Sequence, residues 1–311
     1  MIYKHQLFRV FFSILYILLV WGCESQTSKD YGSREVEKSV DDVQSTLIYK
    51  KENSNVGKRA PGFSILSWNI QDLGRTKSKE EIIEICQILR HFDLVLIQEI
   101  VGKDPAGIQA VGKIVDYLNR MGFKWDYRVS DPTNSPSFNK SERYGFLWKT
   151  SKVDLKGRAW LDYELSSICD REPYIGKFQF KDHDEEIFII NFHSRVHSSH
   201  PEEEIFFLQN YDTRFGSNNI ILGGDFNINE RHPVWRDFYK KGFKNALSDT
   251  PTTLRRKCKS GNYLNHSIDN FYYSLPFEIV ESGIVDFVKG CENLENVRGI
   301  SDHLPVYFIF K

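Results

Sequence analysis

Hydrophobic positions along the chain follow two periods, and each stretch where one period holds predicts an element. Residues 63–70 read as an apolar strand, and residues 79–91 place Ile82, Ile85, Cys86 and Leu89 at helical spacing, which predicts an amphipathic helix. Residues 93–100 read as a buried strand. Residues 108–121 repeat the helical spacing through Val111, Val115 and Leu118, and Gly122 closes that helix. From Trp125 onward the runs shorten. Residues 143–149, 174–180 and 187–192 predict strands between polar turns, residues 201–215 a helix, and residues 219–224, 270–274 and 306–310 further strands. No period of 20 to 50 residues recurs, which excludes a solenoid or propeller and leaves one compact mixed α/β domain over residues 61–311.

Several of these apolar runs end in side chains that do not belong in a core. The junctions read Ser67-Trp68-Asn69-Ile70, Ile97-Gln98-Glu99-Ile100, Ile190-Asn191-Phe192-His193-Ser194 and Gly223-Gly224-Asp225-Phe226-Asn227. A fifth, Ser301-Asp302-His303, opens the alternating run Leu304, Val306, Phe308, Phe310. Five polar strand ends point to one shared site. A buried strand ending in Gln98-Glu99 is costly unless the carboxylate is paired or metal-bound, and hard divalent cations prefer such oxygens. Asn69 reads equally well as a turn residue bonding its own backbone. His193 reads as a hydrogen-bonded structural residue or, if a carboxylate orients it, as a proton carrier. Asp225 and Asn227 share a face if their strand continues, and Gly223 and Gly224 admit a close backbone or phosphate.

Composition narrows the classes. The 311 residues are 41% hydrophobic with 23 Phe, enough for a large core, and 41 basic against 42 acidic residues leave a formal net charge of -1. Any polyanion binding is therefore local. Residues 1–22 carry Lys4 and Arg9, then an apolar run, and end at Gly22-Cys23, a signal peptide that resembles a bacterial lipobox. Cys23 would become the lipidated first residue of an exported cell-envelope lipoprotein, although Trp21 is bulkier than the usual residue there; an uncleaved anchor is the alternative. Residues 23–60 are polar and read as a flexible tether. Cys86, Cys169, Cys258 and Cys291 lack the paired spacing of a zinc site, and an exported chain admits one or two disulfides among them, with Cys86 read as a small buried hydrophobe.

The five junctions, taken in order, resemble the endonuclease/exonuclease/phosphatase superfamily over residues 61–311. Ser141-Glu142-Arg143-Tyr144-Gly145-Phe146-Leu147 and Asp170-Arg171-Glu172-Pro173 are similar to segments of its deoxyribonuclease I-like branch. The resemblance implies an α/β (α+β) four-layer sandwich, two packed β-sheets flanked by helices. It implies that Glu142 orients His193 and Asp269 orients His303, each raising its histidine's pKa. Glu99 and Asp302, with Asn69, would hold Mg²⁺, or Mn²⁺ or Ca²⁺; Asp225 and Asn227 would position nucleophile and phosphate, and Arg171, Asn227 and Tyr144 would contact the substrate phosphate. Which histidine is acid and which base stays open. Val101, Lys140 and Glu230 depart from the vertebrate pattern, which puts minor-groove grip in doubt, and the basic loop Arg255, Arg256, Lys257, Lys259 could supply other phosphate contacts. The implied function is a monomeric, extracytoplasmic, metal-dependent DNA endonuclease. A sphingomyelinase-like or inositol-phosphate phosphodiesterase and a catalytically silent surface binding protein are the alternatives. A lipid enzyme would be expected to expose an aromatic hairpin, for which Phe271-Tyr272-Tyr273 is the segment to inspect.

Overall fold

A computed structural model describes residues 61–137 and 141–311. The leader, Cys23, the tether and Lys140 lie outside the described residues. In chain order come Phe63–Leu73 (β1), Lys79–Leu89 (α1), Leu94–Val101 (β2), Ala106–Arg120 (α2), Trp125–Val129 (β3), Glu142–Lys149 (β4), Val153–Leu155 (β5), Trp160–Leu161 (β6), Tyr174–Phe180 (β7) and Glu186–His193 (β8). There follow Glu202–Leu208 (α3), Tyr211–Phe215 (α4), Ile220–Asp225 (β9), Trp235–Lys240 (α5), Lys244–Asn245 (β10), Leu254–Lys259 (β11), Asn262–Leu264 (β12), Asp269–Ser274 (β13), Ile279–Ile284 (β14), Leu294–Ile300 (α6) and Val306–Phe310 (β15).

Two large sheets result. One runs β14-β15-β1-β2-β4-β3 and the other β10-β13-β9-β8-β7-β5, with β6 added beside β7. The sheets share a plan: β1 pairs parallel with β2, and β8 parallel with β9, each couple flanked by antiparallel neighbours. Strand alternation sends Ile65, Leu96, Phe146, Ile189, Ile221, Phe271 and Phe308 into the seam between the sheets. The opposite faces pack under helices, Leu66, Trp68 and Ile97 with residues of α1, α2 and α6, and Ile190, Phe192 and Leu222 with residues of α3, α4 and α5. The architecture is the expected four-layer sandwich.

The seam is apolar along most of its length and polar at one end, and that end is the site. The inward column of β1 passes from Ile65 to Ser67 and Asn69, that of β8 from Ile189 to Asn191 and His193, that of β9 from Ile221 to Gly223 and Asp225, and that of β4 from Phe146 through Tyr144 to Glu142. Gln98 ties the columns together, donating to Ser67 Oγ at 3.0 Å and Asn191 Oδ1 at 2.6 Å, while Asn191 donates to the carbonyls of Ile97 and Gly145. Register sets His193 opposite Asp225 and Asp225 opposite Asp269, one row of three ionisable groups across β8, β9 and β13.

Three expectations change, and a fourth is narrowed to one of its two alternatives. The helix over residues 201–215 is two helices, because Lys241 Nζ takes the Gln209 carbonyl at 2.7 Å and the chain turns there. The basic loop is strand β11 of a two-stranded hairpin with β12. The strand at Asp225 stops, with Asn227 in left-handed backbone at φ 55°. Gly223 and Gly224 admit neighbouring protein and not a phosphate: a Cβ at Gly223 would stand 2.5 Å from the Phe271 ring, and one at Gly224, φ +153°, 1.8 Å from the Phe192 carbonyl. Cys258 and Cys291 form a disulfide, and Cys86 and Cys169 are free and buried.

Candidate active site

A cleft of about 410 Å³ opens at the polar end of the seam, lined among others by Asp72, Glu99, Glu142, Arg171, His193, Asp225, Asn227, Asp302 and His303. Its floor holds two histidines, each with a carboxylate on Nδ1. His193 Nδ1 lies 2.8 Å from Glu142 Oε1, and His303 Nδ1 lies 2.9 Å from Asp269 Oδ2. Both rings turn Nε2 to one oxygen, Asp225 Oδ2, at 3.4 Å from His193 and 3.7 Å from His303. The loop carrying His303 is pinned from two sides: Ser301 Oγ donates to the Asn69 carbonyl at 2.6 Å and accepts from His303 N, and Trp68 Nε1 donates to the His303 carbonyl.

The two pairs differ in what stands behind them. Arg171, buried, places Nε 2.7 Å from Glu142 Oε1 and donates to the carbonyls of His193 and Ser194. Asp269 receives only a neutral donor there, the Thr252 hydroxyl at 2.6 Å. Burial pushes Glu142 up to about 7 against the pull of Arg171. His193 is lowered to about 4, by burial first and the Arg171 cation second, and Asp225 and Glu99 do not offset them. In His303 burial also disfavours the imidazolium, yet Asp269 and Asp225 outweigh it and raise the ring to about 10. The expectation that both histidines are raised is corrected for His193: a buried carboxylate already paired with a guanidinium has little field left for a ring. Burial and Asp269 together raise Asp225.

Three residues stand differently from expectation. Arg171 commits two nitrogens behind the first pair, so it braces Glu142 and the end of β8 instead of offering its fork to a phosphate. Tyr144 is fully buried, and its hydroxyl accepts the His193 amide at 3.1 Å, which takes it out of reach of a substrate. Asn69 turns its amide nitrogen to Glu99 Oε1 at 2.9 Å and Asp225 Oδ2 at 3.2 Å and so braces two carboxylates, while its own Oδ1 is buried without a hydrogen-bond partner. Asn227 donates its side-chain amide to the Ser194 carbonyl and its backbone amide to Asp225 Oδ1.

Glu99 reaches the cleft by a backbone distortion. Alternation would send it to the face opposite Gln98, but its φ is 59° and the β2–β4 register shifts between Ile97 and Ile100. Such a left-handed bulge costs about 1–3 kcal/mol and re-aims a side chain. Its carboxylate accepts from Asn69 Nδ2 and the Asp72 amide and forms no salt bridge among the described residues, while Asp302 has Arg298 NH2 at 3.6 Å. Two carboxylates so weakly neutralised on one cleft wall fit a hard divalent cation. Asp225, Asp269 and His303 also converge, with one donor atom from each within 4.8 Å of the others, but there His303 Nδ1 already faces Asp269. Thr252, Ser301 and Gln98, which hold these groups, are hydroxyl and amide residues whose roles no spacing announces.

Residues 66–303 match the model of the endonuclease/exonuclease/phosphatase family. A deoxyribonuclease of Thioalkalivibrio sp. (strain K90mix) is 25% identical over 267 residues, 79% of this chain and 70% of that protein. Deoxyribonuclease-1 of Bos taurus is 32% identical over 178 residues, and the match spans 52% of this chain and 60% of the bovine protein. An endonuclease/exonuclease/phosphatase structure from Bacteroides vulgatus superposes with a TM-score of 0.60 at 13% identity, covering 81% of this chain and 99% of that one. With two packed sheets, helices on both outer faces and a cleft at the strand ends, the chain belongs to the endonuclease/exonuclease/phosphatase family, as a deoxyribonuclease I-like hydrolase of phosphoester bonds.

Proposed function

We propose that the protein is a divalent-metal-dependent endonuclease that hydrolyses DNA phosphodiester bonds. The observation that carries the reading is the pair of differently charged histidines converging on Asp225, a constellation suited to in-line displacement at phosphorus. His193, neutral, takes a proton from the attacking water through Nε2. The water oxygen bonds to phosphorus, the ester P–O bond breaks, and His303, as imidazolium, delivers a proton from Nε2 to the departing oxygen. Asp225, between them, orients both rings, and Asn227 closes the cleft floor. A cation held by Glu99 and Asp302 would supply charge neutralisation at the phosphoryl oxygens.

DNA is the favoured substrate because the deoxyribonuclease matches are sequence matches, and because the segment proposed for lipid contact is not a surface: Phe271, Tyr272 and Tyr273 are buried in β13. Nicking of supercoiled plasmid in Mg²⁺ and its loss in EDTA test this. Glu99→Ala and Asp302→Ala should abolish turnover with unchanged melting temperature. Hydrolysis of sphingomyelin or inositol phosphates without DNA cleavage would replace DNA with the lipid class. We also propose export and anchoring through Cys23, supported by the apolar run and Gly22-Cys23; the intact mass of the mature chain decides it.

A further inference from the structure

The β11–β12 hairpin stands outside the cleft, and the reaction above makes no use of it. Its first strand carries Arg255, Arg256, Lys257 and Lys259, and Arg256, Lys257 and Lys259 are exposed. The facing strand is Asn262–Leu264, without an acid, and none of the salt bridges among the described residues involves the four cations. The ladder shifts register between the pairs Leu254 with Leu264 and Lys259 with Asn262, so the intervening residues of β11, Arg256 and Lys257 among them, lie in an irregular stretch of the strand. On a chain of formal net charge -1, this is a local positive patch.

The patch is fixed to the cleft rim at its root. Leu254 N donates to the Asp302 carbonyl at 2.8 Å, Leu304 N to the Thr252 carbonyl at 2.7 Å, and Thr253 bridges His303. Arg298 joins the same two places, donating through NH1 to the Leu254 carbonyl at 2.9 Å while NH2 stands 3.6 Å from Asp302 Oδ2. The outer part is tied as well, by the Cys258–Cys291 disulfide and by the Tyr263 hydroxyl on Asp286 Oδ2 at 2.5 Å. A cationic strand held at both ends is preorganised, so binding an extended polyanion orders little additional chain. At ~3.4 Å per residue β11 reaches at most ~17 Å from the rim, the axial length over which one strand of a duplex presents about five phosphates.

We propose that this hairpin is a second binding surface, which holds the sugar-phosphate backbone of a DNA duplex beyond the nucleotides in the cleft; it rests on the reading of the cleft as a DNA phosphodiester site. The contacts are charge to phosphate, so they confer affinity and placement without base preference.

The test is binding of a 20-base-pair duplex to the full chain in EDTA across a NaCl series, for wild type, the triple variant R256A/K257A/K259A and the charge-keeping Arg256→Lys. Each lost phosphate contact lowers the steepness of log K against log[salt] by about 0.9, so the triple variant should be shallower by two to three units and Arg256→Lys unchanged. With Mg²⁺, both variants should hydrolyse bis(p-nitrophenyl) phosphate at the wild-type rate, since this small diester reaches only the cleft. An unaltered salt slope in the triple variant overturns the proposal. So does an unaltered slope accompanied by lost binding to phosphatidylglycerol vesicles, which would assign the hairpin to a membrane. Failure of wild type to cut plasmid or the small diester would count against the cleft reading, while the salt slope would still judge the hairpin.

Discussion

His193 and His303 each set Nδ1 against a carboxylate, at 2.8 Å and 2.9 Å, and each turn Nε2 to Asp225, yet one ring is lowered to about 4 and the other raised to about 10. The difference lies one residue further back. Burial disfavours the imidazolium in both rings; Arg171 behind Glu142 adds to it at His193, so that imidazole stays neutral, whereas at His303, where the Thr252 hydroxyl stands behind Asp269, Asp269 and Asp225 outweigh it. A histidine–carboxylate pair thus sets orientation, and the third member sets charge. One contact, used twice, produces a proton acceptor and a proton donor.

The largest effect expected is from removing either ring. His193→Ala and His303→Ala should each lower kcat by about 10² to 10⁴-fold. Wild-type kcat should rise with pH through about 4, as the acceptor loses its proton, and fall through about 10, as the donor loses its own. The His193 variant should lose the acid limb and the His303 variant the alkaline one. Near wild-type turnover with both limbs in either variant would make that histidine structural.

Arg171→Met breaks the asymmetry directly. It leaves Glu142 buried without its cation, so unfolding in denaturant should show a loss of about 3–5 kcal/mol. In the variant that remains folded, NMR titration of His193 should move upward, because the guanidinium is one of the two main influences holding it down. A titration that does not move would assign the neutral state of His193 to burial alone. Asp269→Asn should cost less kcat than His303→Ala and shift the alkaline limb to lower pH, and Glu142→Gln should cost less than His193→Ala.

The smallest effects concern stability against pH. His303, raised in the folded chain, contributes stability that is complete below its ordinary value near ~6.5 and is lost as pH rises through about 10. His193, lowered in the folded chain, has the opposite sign: the unfolded chain binds its proton more readily, so stability falls as pH drops from ~6.5 through about 4. Melting temperatures of His303→Gln and His193→Gln across pH should therefore flatten on opposite sides, and flattening on the same side would mean that the two charge states have been misassigned.

The elements with strong periodicity were legible, among them residues 174–180 and 306–310, which the structure reproduces to the residue. β11, Leu-Arg-Arg-Lys-Cys-Lys, and β14, Ile-Val-Glu-Ser-Gly-Ile, were not, because both are partly exposed and neither alternates cleanly. The break at Gln209 was invisible for a different reason: it depends on Lys241, thirty-two residues away.

For the site, sequence by itself determined which polar side chains end up at one place, since each sits where an apolar inward column turns polar: Asn69 on β1, Glu142 on β4, His193 on β8, Asp225 on β9. Only the tertiary structure decided what those side chains do there. It turned Asn69 into a brace, sank Tyr144 beneath His193, took Arg171 from the substrate to Glu142, and swung Glu99 into the cleft through a left-handed residue. Strand periodicity is written in neighbouring residues and survives in one dimension. Charge state and hydrogen-bond direction are set by distances through space, here between residues as far as 235 positions apart, and those exist only once the two sheets have met.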